Sequence, residues 1–128
     1  MTFINHQNKV EEALSFLQEK IDTNPRCIII LGTALGGLTK HIEDPKRIPY
    51  HHIPNFPEAT APTHDNNLIF GRLQGVDVAV LQGRFHFYEG YSAQELTLPL
   101  RVLSLMQSEI CIVSNAAGGL NPSFSPGT

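Results

Sequence analysis

The chain has 128 residues, 41% of them hydrophobic and 16% charged, with nine Lys+Arg against twelve Asp+Glu for a formal net charge of -3. That is the make-up of one globular domain with a modest core, and its slight acidity leaves no broad basic face for the phosphate backbone of a nucleic acid. No apolar run approaches the ~20 residues of a membrane span, and the amino terminus carries Asn5, His6, Gln7 and Asn8 where a signal peptide needs hydrophobics, so no membrane partner and a cytoplasmic address are expected.

In chain order, Asn8 with Glu11 three places on reads as a helix start. Val10, Ala13, Leu14, Leu17 and Ile21 then share one face of a helix predicted to end near Asn24-Pro25. "CIIIL", Cys27 to Leu31, is short, β-branched and apolar on both parities, as in a strand buried on both faces of a sheet. It runs into "GTALGG". From His51 to Asn67 the sequence has three prolines, three histidines and little periodicity, and a loop this long in a compact domain is either disordered or functional. "LIFGRL" (Leu68 to Leu73) and "VDVAVLQG" (Val76 to Gly83) flank Gln74-Gly75 and predict a hairpin. Ser92 and Glu95 have capping-box spacing, and Leu96, Leu100, Leu103 and Met106 continue a helix that Pro99 is expected to bend in its second turn. "ICIVS", Ile110 to Ser114, is the last predicted strand. Strands alternating with helices predict an α/β fold, with both cysteines, Cys27 and Cys111, as reduced, buried thiols.

Two strands end in small-residue loops. Leu31 leads into Gly32-Thr33-Ala34-Leu35-Gly36-Gly37, and Ser114 into Asn115-Ala116-Ala117-Gly118-Gly119. In α/β sheets ligands sit beyond the carboxyl ends of strands, where loops without bulky side chains let backbone N–H groups reach an anion, so the pair suggests one shared pocket. The first loop follows neither standard phosphate fingerprint, and each loop alone is equally well a turn needed only for its backbone geometry.

Between the loops lies "QGRFHFYEGY", Gln82 to Tyr91. If this stretch is extended, Arg84, His86 and Tyr88 share one face and Phe85 and Phe87 the other. A guanidinium fork with an imidazole two residues away suits a phosphate dianion, and Tyr88 offers a hydroxyl on an aromatic plate to a sugar. The other reading is a solvated loop whose Arg84 pairs with Glu89. His64, in "PTHD", stands as either a loop histidine or a ligand-binding one. A zinc site from His51, His52 and His64 lacks helical i, i+4 spacing and a nearby cysteine, so no metal is expected.

Taken together, "GTALGGL", "IPNFP", "GRFHFYEGY" and "SNAAGGLNP" resemble, in order and separation, the motifs of the trimeric, low-molecular-mass purine nucleoside phosphorylases. The resemblance runs from about Arg26 to the end. It implies a nucleoside phosphorylase-like α/β fold, a mixed β-sheet with flanking helices. It also implies phosphorolysis of inosine- or guanosine-type ribonucleosides to free purine and ribose 1-phosphate, in purine salvage. Inorganic phosphate is then a co-substrate, and no metal or organic cofactor takes part. On the same ground Thr33, His64, Arg84, His86 and the Ala116 N–H are expected to bind phosphate, with His86 also the catalytic candidate. Tyr88 is expected to contact ribose, Ala117 and Gly118 the purine, and Asn115 to support the pocket.

Two departures accompany the resemblance. The smaller is Ala34, which stands where a glycine is common; Thr33 stands where the family has a serine and keeps its hydroxyl. The family pattern continues past Thr128 into residues that grip the base, so residues 1–128 are expected to be the amino-terminal part of a single nucleoside phosphorylase domain, nearly inactive alone and exposing apolar sheet edges. The family's homotrimer is the expected assembly. The rival readings are a noncatalytic phosphate- or nucleoside-binding fragment and a methylthioadenosine phosphorylase; the choice among inosine, guanosine and xanthosine stays open.

Overall fold

The computed structural model describes residues 2–32, 35–58, 66–83, 85, 87–115 and 117–128. Helix α1 spans Thr2–Lys20 and strand β1 Cys27–Ile30. Strand β2 follows over Glu43–Pro49, β3 over Asn67–Leu73 and β4 over Val76–Gln82. Helix α2 spans Ala93–Ser104, and β5 Ile110–Val113. The five strands form one mixed sheet in the order β2-β3-β4-β1-β5. In it β4, β1 and β5 run parallel, while β2, β3 and β4 form an antiparallel meander. The α/β fold with flanking helices expected from the sequence is the one observed.

The sheet separates two apolar layers. On one face Val10, Ala13, Leu17 and Ile21 of the α1 region and Leu98, Val102, Leu103 and Met106 of the α2 region pack with Ile28, Leu68, Phe70, Ala79 and Leu81. On the other, Cys27, Ile29, Leu31, Ile69, Val78 and Val80 pack with Ile42 and with Leu38 of a 3-10 helix, Gly36–His41. β1 thus feeds alternate side chains into both layers, which is why its sequence is apolar on both parities.

Several local expectations need correction. α1 begins well before Asn8, which lies within the helix, and ends at Lys20 rather than near Asn24-Pro25. Gln7 Nε2 donates to Glu11 Oε1 at 3.1 Å, an i, i+4 bond that supports a helix already under way. The buried face of α2 is Leu98, Pro99, Val102 and Leu103, with Leu96 and Leu100 only half-buried. β2 went unpredicted because an edge strand needs no apolar alternation and tolerates Pro45, and its first five residues are exposed. Cys111 is exposed rather than buried, because β5 is the sheet's outer strand among the described residues and all four of its residues face solvent.

Other local signals held. Gln74 and Gly75 both have positive φ, 51° and 79°, the geometry of the tight two-residue turn that matches strand twist. The Ser92 hydroxyl accepts the Glu95 N–H at 3.2 Å, and the Glu95 carboxylate accepts the Ser92 N–H at 2.7 Å, completing the capping box.

Candidate active site

The site is set by topology. Because β4, β1 and β5 are parallel neighbours, with Ile30 registered against Leu81 on one side and Val113 on the other, the chain leaves all three strands along one edge of the sheet. Gly83, Gly32 and Asn115 therefore emerge side by side. Antiparallel β3 starts at that edge, with Asn67 opposite Gln82, so the chain that follows His64 joins the sheet there too. Carboxyl ends of parallel strands are where an α/β sheet binds its ligands.

Two of the exits are joined directly. The Gly32 N–H donates to Ser114 Oγ at 2.8 Å, and Ser114 Oγ donates to the Ile30 carbonyl at 3.1 Å. A Cβ added at Gly32 would meet the Ser114 carbonyl oxygen at 2.7 Å and the Asn115 Cα at 3.1 Å. Glycine is required here by the close approach of the neighbouring backbone. The shared-pocket expectation gains this much: the Gly32 and Asn115 loops are in contact from their first residues.

The third exit is held by Tyr50, in the turn after β2. Tyr50 is fully buried, its hydroxyl donates to the Gly83 carbonyl at 3.0 Å, and its backbone N–H donates to the Asn66 carbonyl at 2.9 Å. Burial pushes its phenol well above the usual tyrosine range, so the hydroxyl keeps its proton and remains a donor. Its ring lies 5.1 Å from Phe85, which in turn lies 6.4 Å from Tyr91. Tyr91 Oη donates to the Glu58 carbonyl and accepts the Glu58 N–H. An aromatic chain thus ties residues 50–58 to 83–91, spacings at which ring pairs attract.

Of the residues singled out from the sequence, Thr33, His64, Arg84, His86 and Ala116 lie outside the described residues, as does an Arg84–Glu89 pairing. Their neighbours Gly32, Gly83, Phe85, Asn115 and Ala117 are described. Tyr88 is 82% exposed and sits in a 3-10 turn, Phe87–Glu89. The two-residue alternation proposed for an extended 84–88 stretch therefore stops at this turn. Asn115, Ala117 and Gly118 are exposed on the loop after β5. A Cβ added at Gly118 meets no described atom within 4 Å, so packing among the described residues does not demand a glycine there. Sequence reasoning missed Tyr50, Tyr91 and the Ser114 hydroxyl, whose contacts reach across 33 to 84 positions and leave no local signal.

Among the described residues no group of three or more His, Cys, Asp or Glu is arranged to hold a metal ion. An open groove of about 650 Å³ runs along α1 beside Pro54, lined by Glu11, Glu12 and Glu19. Its carboxylates repel anions, and none of the three strand exits contributes to it.

Comparison with known proteins agrees with this geometry. Residues 26–128 match the family model of the phosphorylase superfamily. The chain is 48% identical over 122 residues to purine nucleoside phosphorylase 1 of Geobacillus stearothermophilus, covering 95% of this chain and 44% of that protein. It is 44% identical over 117 residues to purine nucleoside phosphorylase of Mus musculus, covering 91% and 40%. A crystal structure of purine nucleoside phosphorylase with ribose 1-phosphate superposes with a TM-score of 0.86 at 47% identity, over 92% of this chain and 43% of that one. A schistosoma purine nucleoside phosphorylase in complex with hypoxanthine gives 0.84 at 46% identity, over 92% and 41%. The chain spans less than half the length of these relatives. The sheet with its helices is the corresponding part of the nucleoside phosphorylase fold, and the chain belongs to the phosphorylase superfamily.

Proposed function

We propose that the clustered strand exits form the phosphate and ribose side of a purine nucleoside phosphorylase site, cleaving inosine- or guanosine-type nucleosides to free purine and ribose 1-phosphate. The observation that carries this reading is the Gly32–Ser114 contact, which joins the loop leading to Thr33 with the loop bearing Asn115 to Gly118. Tyr50, holding Gly83 beside them, brings in the segment that carries Arg84 and His86.

In this reading Thr33, His64, Arg84, His86 and the Ala116 N–H hold inorganic phosphate, Tyr88 meets the ribose, and Asn115 supports the pocket. No described atom would meet a Cβ added at Gly118, which among the described residues leaves room for the flat face of a purine over Ala117 and Gly118. The N-glycosidic bond breaks with its electron pair leaving on the purine, which takes up a proton. Positive charge grows on the anomeric carbon, and a phosphate oxygen held beneath it stabilises that charge and then forms the new C–O bond. His86 donates a hydrogen bond to the phosphate as it attacks. The reaction so drawn uses no metal or organic cofactor. A homotrimer in the cytoplasm belongs to the same reading, and no described helix is long and apolar enough to cross a membrane.

The test is a chimera in which this chain replaces the segment it matches in the Geobacillus stearothermophilus relative. Phosphate-dependent release of hypoxanthine from inosine is expected, and Arg84→Ala should lower the rate by roughly 10²–10³-fold, as loss of one well-placed stabilising donor does. A folded chimera that releases no hypoxanthine in the presence of phosphate would refute the proposal.

A further inference from the structure

We infer that Tyr50 is the positioning residue of the phosphate-binding segment, a role that rests on the function proposed above. Arg84 follows Gly83 and precedes Phe85 in the chain, and Tyr50 holds both of these neighbours. Its hydroxyl donates to the Gly83 carbonyl at 3.0 Å, and its ring stands 5.1 Å from the Phe85 ring at a 47° tilt. Gly83 has φ of 117°, in backbone territory that only glycine enters freely, so without an outside contact it is the least restrained point between β4 and Arg84. Tyr50 restrains it from within the core. The ring is fully buried and also packs 5.9 Å from Phe56, so the donor is aimed by a rigid plate.

The same residue reaches the other histidine-bearing stretch. Its backbone N–H donates to the Asn66 carbonyl at 2.9 Å, two residues after His64, while Tyr91 bonds Glu58 on the near side of that stretch. Paired guanidinium–phosphate hydrogen bonds are directional, and their strength depends on where the arginine backbone is anchored. Tyr50 supplies that anchor without itself touching the anion.

Binding of inorganic phosphate to the full chain, measured by calorimetry, tests the role on Tyr50→Phe, which keeps the ring and removes only the hydroxyl. Loss of one ordinary hydrogen bond predicts phosphate binding weakened roughly five-fold, with the Arg84 guanidinium resonance broadened. Val102→Ala, a cavity on α2 in the same apolar layer as Tyr50 but with no hydrogen bond to a strand exit, is the control: it should lower the melting temperature and leave phosphate affinity unchanged. Undiminished phosphate binding in Tyr50→Phe overturns the positioning role while leaving the phosphate site intact. Equal weakening in Val102→Ala also overturns it, because general destabilisation then accounts for the effect. If the unaltered chain binds no phosphate, the proposed site itself fails and the positioning role with it.

Discussion

A Cβ placed on Gly32 would stand 2.7 Å from the carbonyl oxygen of Ser114, a separation that a methyl group and a backbone oxygen do not sustain. The obstacle is backbone of a paired strand end and cannot rotate away. Gly32→Ala must push the two loops apart, with an overpacking cost of about 1–3 kcal/mol. Chemical denaturation should show a lowered midpoint, and phosphate titration a weaker affinity. A variant of unchanged stability and affinity would mean that the loops are not in contact.

The Ser114 hydroxyl joins those loops from the side-chain direction, accepting the Gly32 N–H and donating to the Ile30 carbonyl. Ser114→Ala removes both bonds at a half-buried position, a loss of about 1–2 kcal/mol by the usual net value of a hydrogen bond. Ser114→Thr keeps the hydroxyl on a β-branched residue that suits a strand end and should restore most of the stability. Equal melting temperatures for the alanine and threonine variants would assign the effect to something other than the hydroxyl.

What the sequence revealed and what it concealed follow from the range of each interaction. The Gln74-Gly75 turn and the Ser92–Glu95 box are legible because both partners lie within a few residues and depend on backbone chemistry that those residue types carry with them. β1 is legible because burial on both faces filters its composition. β2 is not, since Glu43 to Arg47 face water and its strand state comes from pairing with β3. Cys111 was misread for the opposite reason: "ICIV" has the composition of an interior strand, but its exposure depends on what stands beside it. Within the site the glycine loops announced themselves, whereas Tyr50, just ahead of the proline-rich stretch that begins at His51, carries no local mark. Its importance lies in partners 16 to 35 positions away.

Glu95 makes the stability of α2 sensitive to acid. The Ser92 backbone N–H, and next the Ser92 hydroxyl, hold its carboxyl below the ordinary 4.5. The folded protein therefore binds this proton less readily than the unfolded chain does. Its contribution is fully present above 4.5 and fades as pH falls through the depressed folded value. Glu95→Gln should flatten that acid limb in a melting-temperature series. Ser92→Ala should cost about 1 kcal/mol at neutral pH, the usual value of a helix cap. An acid limb unchanged in Glu95→Gln would show that other carboxylates set it.

The two cysteines should separate by reactivity. Cys27 is buried in the apolar layer that contains Ile42 and Leu38, and burial first, then the nearby Cys111, pushes its thiol above the ordinary 9.0. Cys111 is exposed on β5. The raised thiol of Cys27 and the exposure of Cys111 both favour reaction at Cys111. A chromogenic disulfide reagent should titrate one thiol quickly in the folded protein and the second only after denaturation, and Cys111→Ser should abolish the fast phase. Two fast thiols would mean that the β1–β5 pairing opens readily.

β5 carries the clearest association hazard. Ile110, Ile112 and Val113 are about half exposed, Ile112 at 49%, and β5 pairs with β1 on one side. A second pairing partner on its other side is absent from the described sheet order. An apolar strand with a free row of backbone donors and acceptors is a template for pairing with another chain. A lysine at such a position opposes edge-to-edge pairing by charge and by the cost of desolvating it. Ile112→Lys should therefore shift sedimentation toward smaller species at high protein concentration, while Val76→Lys, on the exposed first residue of interior strand β4, should leave association unchanged. Association that is insensitive to Ile112→Lys would place the sticky surface elsewhere, with Leu120 and Phe124 the next residues to change.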